Sequence, residues 1–321
     1  MADKTKIEWA DATWNPVTGC SKVSQGCKHC YAERQWPRMT RLVPSYAGRD
    51  FTDVACHADR LDQPLRWKKP RRVFVNSMSD LFHEVVPDDF ILSVFVTMAA
   101  ARQHTFQILT KRPARMLDLM TRWKAAGLLL REGCGVELRN VWLGVSVEDQ
   151  ATADERIPLL LQTPAAVRWI SAEPLLGPVD LTATPAGDIL CRCGGCMEMT
   201  PDTRIDWVVA GGESGKNARP MHPAWARSLR DQCAAAGVPF LFKQWGEWLR
   251  SDLVDSETQS TVWRDRTHFE MRDAGMLHEF SPALPPGPPH FSCNHFLRVG
   301  KRAAGRLLDG VQHDAYPEAR P

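Results

Sequence analysis

A short apolar run, a polar or charged tip, then a helical segment: this unit recurs along most of the chain. Arg72 to Asn76 (R-V-F-V-N) reads as a buried strand ending in S-M-S-D, with a helix from Asp88 to Arg102. Thr105 to Leu109 ends in T-K-R-P, with a helix from Ala114 to Ala126. Asn140 to Val145 ends in S-V-E-D, before a helix containing Ala153 to Leu161. Val167 to Ile170 ends in S-A-E-P. Ile205 to Ala210 ends in G-G-E-S-G, with a helix from Pro223 to Ala236, and Val238 to Phe242 ends in K-Q-W-G. Upstream, Ile7 to Thr18 is a short lead-in strand with two tryptophans. Ala32 to Met39 is helical until Pro37 intervenes, and Arg41 to Lys69 is irregular and polar.

Strands alternating with helices predict a parallel sheet built from right-handed crossovers. Polar strand ends suit the active-site mouth of a (β/α) barrel, and a doubly wound open sheet gives the same alternation. Two regions break the rhythm. Asp180 to Asp202 holds C-R-C-G-G-C (Cys191, Cys193, Cys196) and is expected to project as an insertion. From Trp248 onward the alternation stops, and the tail carries the stiff A-L-P-P-G-P-P at Ala283 to Pro289. The expected organisation is a barrel over residues 1–247, interrupted by 180–203, with a C-terminal extension over 248–321.

Composition narrows the partners. Lys+Arg 40 against Asp+Glu 38 leaves a formal charge of +2, so a nucleic acid would be met by a local patch. Ten cysteines without an apolar targeting segment at M-A-D-K-T-K-I-E-W point to reduced thiols and metal rather than disulfides. No apolar run is long enough to cross a bilayer, and the expectation is a cytoplasmic protein with no membrane partner.

The densest chemistry lies between Thr18 and Arg34, T-G-C-S-K-V-S-Q-G-C-K-H-C-Y-A-E-R. Cys20, Cys27 and Cys30 place three thiolates in one short loop, a soft-metal or iron–sulfur ligand set. A structural zinc site takes four protein ligands, whereas three cysteines on a four-iron cluster leave one iron open. The alternative is a zinc knuckle with a distant fourth ligand. His29, wedged between two of the cysteines, is poorly placed to serve.

Cys27-x-x-Cys30 followed by Tyr31 is similar to the end of the radical S-adenosylmethionine signature. From I-E-W-A-D-A-T-W-N-P to G-R-L-L-D-G the chain resembles a phage and prophage family of such proteins with three cysteines spaced this way. The commonest radical spacing has three residues between the first two cysteines, and this chain has six. The resemblance implies a partial (β/α)6 TIM-like barrel of the radical S-adenosylmethionine type, with the cluster loop after the first strand. It implies a [4Fe-4S] cluster on Cys20, Cys27 and Cys30, S-adenosyl-L-methionine on its open iron, and release of a 5′-deoxyadenosyl radical. It also implies Tyr31 beside the adenine and an electron donor such as flavodoxin or ferredoxin. Packing under the loop is the plainer role for Tyr31.

More distantly, M-S-D, T-K-R and V-S-V-E resemble cofactor-binding strand ends of spore photoproduct lyase. That resemblance implies Ser79 and Asp80 at the methionine amino end, Lys111 at its carboxylate, and Ser146 with Glu148 toward the ribose. The competing role for Asp80 and Glu148 is capping the helices that follow. Gly211 and Gly212 let backbone approach a ligand closely, without the spacing of a dinucleotide fingerprint. Glu173, Glu213, Lys243, Gln244 and Trp245 are candidate substrate contacts, and none is singled out as catalytic.

Cys191, Cys193 and Cys196 admit zinc with a fourth ligand from His222, Cys293 or His295, an auxiliary cluster, or unpaired thiols. Cys56, Cys134 and Cys233 read as ordinary buried or half-buried thiols. Arg298 to Arg306 carries four cations that suit a phosphate backbone or a solvated helix face. The expected activity is radical chemistry on a nucleic acid or nucleotide, by modification or lesion repair. Alternatives are a non-catalytic zinc module that recognises nucleic acid, and a radical enzyme acting on a peptide or small metabolite.

Overall fold

The computed structural model describes residues 5, 7–128, 138–191, 204–254, 268–272, 276–277 and 295–318. Its centre is a parallel sheet of seven strands: β1 (Ala12–Trp14), β2 (Arg72–Val75), β3 (Thr105–Thr110), β4 (Val141–Ser146), β5 (Val167–Ala172), β6 (Trp207–Gly211) and β7 (Phe240–Gln244). Each strand pairs with the next in sequence, from β1 to β7. A doubly wound sheet reverses its order at a switch point. No reversal occurs here, and the sheet curls into a half barrel.

Among the described residues five helices of twelve or more residues cover the outside: α1 (Tyr31–Leu42), α2 (Asp88–Ala100), α3 (Pro113–Ala125), α4 (Gln150–Gln162) and α5 (Pro223–Ala236). The expected six-unit barrel is thus a seven-stranded one, with no α-helix between β5 and β6 among the described residues. The lead-in strand is shorter than its pattern. Pro16 offers no N–H to a ladder, so β1 ends at Trp14, and Val17–Thr18 turns away to pair antiparallel with Ala55–Cys56. Conversely, α1 runs through Pro37 to Leu42. Its buried face holds it: Trp36 packs edge-on against Tyr46 and Phe51, and its indole N–H donates to the Arg49 carbonyl at 2.8 Å.

The two sheet faces bury different chemistry. The convex face presents Val73, Val75, Phe106, Ile108, Leu143, Val145, Ile170 and Val208 to the helices in one continuous core. The alternate residues face inward as Phe74, Leu109, Trp142, Trp169, Trp207, Val209 and Leu241. Trp9 drops into this concavity, edge-on to Phe74 at 4.6 Å and to Trp169 at 5.2 Å, while Tyr316 lies 5.2 Å from Trp207. Each such ring removes roughly 150–250 Å² from water, so both ends of the chain plug the half barrel from below. Gly144 is a condition of this packing, since a Cβ there would come within 2.5 Å of the Trp169 indole. With the lower concavity filled, the larger open space among the described residues lies toward the carboxyl ends of the strands.

Two peripheral expectations change. Leu181, Ile189 and Leu190 are buried in the main core, so this part of the expected insertion packs inward rather than projecting. Cys193 and Cys196 lie outside the described residues. The tail forms an antiparallel sheet of β8 (Trp248–Arg250), β9 (His268–Arg272), β10 (Met276–Leu277) and β11 (His295–Arg298), in the order β8-β11-β9-β10. Its last residues return to the barrel: the Phe242 N–H donates to His313 O at 2.9 Å, and Arg306 Nε donates to Lys243 O at 2.9 Å.

Candidate functional site

The loop between β1 and α1 carries Cys20, Cys27 and Cys30, none of them in a disulfide. Its shape depends on one carboxylate from across the barrel. Glu148, fully buried just beyond β4, accepts from Ser24 Oγ at 2.5 Å and from the Gly26 N–H at 2.8 Å. Lys111 Nζ pairs with the same carboxylate at 2.5 Å, and Arg156 Nη1 stands 3.4 Å away. Burial alone would raise the Glu148 pKa; the Lys111 charge and these hydrogen bonds overcome it and lower it to about 2. A Cβ at Gly26 would crowd the Glu148 carboxylate at 2.5 Å and push it out of this arrangement. Glu148 therefore fastens the loop in its charged form.

Asp80 does similar work on the other side. It accepts from Thr110 Oγ1 at 2.8 Å and the Lys111 N–H at 3.1 Å, and pairs with Arg112 at 3.3 Å. Arg112 then reaches the cysteine loop, donating to Ser21 Oγ at 2.8 Å, Ser21 O at 3.2 Å and Cys20 Sγ at 3.7 Å. Neither Asp80 nor Glu148 caps a helix: Asp149 caps α4 through the Thr152 N–H, and Pro87 precedes α2. The thiols feel this setting differently. Burial and the Asp80 charge push Cys20 up to about 12, and burial raises Cys30. Partial burial would raise Cys27 as well, yet Lys111 and hydrogen bonds from the Val23 and Ser24 backbone and the Ser24 side chain bring it below the ordinary thiol value.

Beside the loop lies a cavity of about 870 Å³ at the strands' carboxyl ends. Of the residues singled out from sequence, Cys27, Cys30, Tyr31, Lys111 and Gly212 line it, with Glu173, Glu213, Lys243 and Gln244. Tyr31 is 54% exposed, so it flanks the opening rather than packing beneath the loop. Cys20, Ser79, Asp80, Ser146, Glu148 and Gly211 stand behind the lining. Ser79 Oγ donates to Val17 O at 2.8 Å, and Ser146 is buried in β4. Lys243 Nζ bridges both Glu173 oxygens at 2.8 and 2.9 Å, passing over β6 at the side-chain-free Gly211.

The structure adds residues that the motifs left without a role. Ser24, Gly26 and Arg112 hold the loop through contacts more than 90 positions apart, which no local spacing announces. In the tail, Lys301 pairs with Glu8 at 3.3 Å, Arg298 donates to Gly215 O at 3.0 Å, and Arg306 pairs with Asp314. Three of those four cations thus contact the protein itself. Cys56 is exposed, not buried.

Among the described residues no three His, Cys, Asp or Glu side chains converge as ligands of a single ion. A four-iron cluster is wider than one ion and does not ask its cysteines to touch. The donor set suits such a cluster: three thiols on one clamped loop, with Arg112 on Cys20 and Lys111 close enough to lower Cys27. Of the second group, Cys191 alone is described.

Fold and site together define an α/β half-barrel protein with a cysteine loop at the mouth of a large cavity. Residues 4–317 match the family model described as protein of unknown function (DUF5131), and the chain belongs to that family. No curated protein and no solved structure matches it. Among the described residues no helix is long and apolar enough to cross a membrane.

Proposed function

We propose that this chain is a radical S-adenosylmethionine enzyme, holding a [4Fe-4S] cluster through Cys20, Cys27 and Cys30 and acting on a nucleotide or nucleic acid. The observation that carries the reading is the placement of three cysteines on the loop after the first strand, two of them opening onto the cavity. When bound, cluster and cofactor would supply reductive cleavage of a sulfonium to methionine and a 5′-deoxyadenosyl radical. The chain's own residues provide the setting. Glu148, Ser24 and Gly26 fix the loop; Arg112 and Lys111 offset negative charge gathered on the thiolates. Trp9, Phe74 and Leu109 close the cavity floor against water. At about 870 Å³ the cavity sits near the top of the range for one ligand, roughly 300–1,000 Å³, which suits a cofactor plus the reacting part of a substrate. An external one-electron donor such as flavodoxin or ferredoxin belongs to the same proposal.

The test is turnover under reductant without oxygen. The protein should convert S-adenosylmethionine slowly to methionine and 5′-deoxyadenosine, and Cys30→Ala should abolish it. Iron-loaded protein that leaves S-adenosylmethionine intact, with both chemical and protein reductants, contradicts the proposal.

A further inference from the structure

The cavity carries more positive than negative side chains on one wall, and the excess is not used by the fold. Arg34 and Arg38 stand one turn apart on α1, immediately after the cysteine loop, and both line the cavity with Lys216. Among the described residues no acid or hydrogen-bond acceptor meets any of the three side chains, and the Arg34 Nε is buried with no partner. Elsewhere in the cavity the cations are matched: Lys111 by Glu148, Lys243 by Glu173, Lys301 by Glu8. The carboxylate on the unmatched wall, Glu247, accepts the Gly215 N–H at 2.8 Å. The Arg34 guanidinium lies against Gly215, where a Cβ would fall 0.8 Å from its Nη1, and Lys216 is the next residue in sequence.

A different surface faces them from the floor. Phe74 and Leu109 are apolar, and Gln244 is 2% exposed with its Nε2 turned to Glu173 at 3.3 Å. That orientation leaves Gln244 Oε1 buried without a donor. A buried acceptor with no partner is destabilising unless a ligand supplies the N–H.

We propose that Arg34, Arg38 and Lys216 form a phosphate site, and that Gln244 Oε1 accepts a hydrogen bond from the ring of the same ligand, a nucleotide unit. The inference deepens the proposed function by placing the substrate's phosphate and ring on named residues, yet it does not depend on the metal. Guanidinium groups match phosphate oxygens in pairs, and a cation held unpaired in a partly sheltered wall gains most from an anion. The nucleotide is either free or part of a strand, and binding separates the two.

Calorimetry on the full-length protein at low salt tests this with the four nucleoside 5′-monophosphates, their nucleosides, inorganic phosphate and a short single-stranded oligonucleotide. At least one monophosphate should bind more tightly than its nucleoside by about tenfold, or 1.4 kcal/mol. Arg38→Ala with Lys216→Ala should erase that preference while iron content and melting temperature stay at the wild-type value. Gln244→Ala should weaken monophosphate and nucleoside alike and leave inorganic phosphate untouched. An oligonucleotide that outcompetes every monophosphate assigns the site to a strand; the reverse assigns it to free nucleotide. Equal binding of nucleosides and monophosphates, or wild-type affinity in the double variant, overturns the inference. Should the protein bind zinc instead of iron while the phosphate preference holds, the radical reading fails and the phosphate site stands.

Discussion

The two ends of the cavity are built on opposite electrostatic plans. At the cysteine end the buried charges meet their opposites: Glu148 with Lys111 and Arg156, and Asp80 with Arg112. At the other end Arg34, Arg38 and Lys216 line the cavity with no acid paired to them among the described residues. Buried matched charges fix a shape, because removing one partner strands the other in low dielectric. Unmatched cations, with Arg34 half-buried and Arg38 and Lys216 exposed, fix nothing and are available to a ligand. The contrast separates the residues that build the site from those that use it.

Glu148→Ala should have the largest effect on the matched end. It leaves Lys111 and Arg156 facing each other, frees Ser24 and the Gly26 N–H, and should cost about 3–5 kcal/mol in denaturant unfolding. Iron retention should fall with it. Wild-type stability in this variant would end the account of Glu148 as the fastener. Gly26→Ala probes the same contact by crowding, and roughly 1–3 kcal/mol is expected, with the loss concentrated in iron content and loop protection from hydrogen exchange.

Acid should undo the clamp on a defined schedule. The folded-state pKa of Glu148 is lowered from the ordinary 4.5 to about 2. Its stabilisation is therefore complete above about pH 4.5 and disappears as pH falls through about 2. The stability difference between wild type and Glu148→Gln should be constant from pH 7 to 5 and shrink below that. A difference that is already shrinking at pH 6 would contradict the assigned charge state. The smallest effect belongs to the unmatched end: Arg38→Ala without ligand should shift unfolding by less than about 0.5 kcal/mol. A larger loss would mean that the wall is structural after all.

Much of the barrel was legible because strand and helix periods are local. Six of the seven strands were placed from apolar runs and the first from the lead-in segment, and the sequential pairing decided between barrel and doubly wound sheet, a choice the pattern left open. Helix α1 exceeded its expected end because Trp36 packs on Tyr46 and Phe51, contacts that outweigh the missing Pro37 N–H. The candidate site was legible only as far as its cysteines and strand-end polar residues. Asp80, Glu148 and Lys111 were visible as polar tips, but their mutual attachment depends on partners 30 to 124 positions away. The concave plug of Trp9 and Tyr316 joins the two ends of the chain, which no window along the sequence can connect.

The central claim is that the clamped loop holds an iron–sulfur cluster. The most direct measurement is metal and sulfide analysis of protein purified without oxygen, with Cys20→Ala, Cys27→Ala and Cys30→Ala alongside. The account predicts a brown protein with about four irons and about four sulfides per chain, lost in each variant. A colourless protein carrying one zinc and no sulfide on these three cysteines would contradict it.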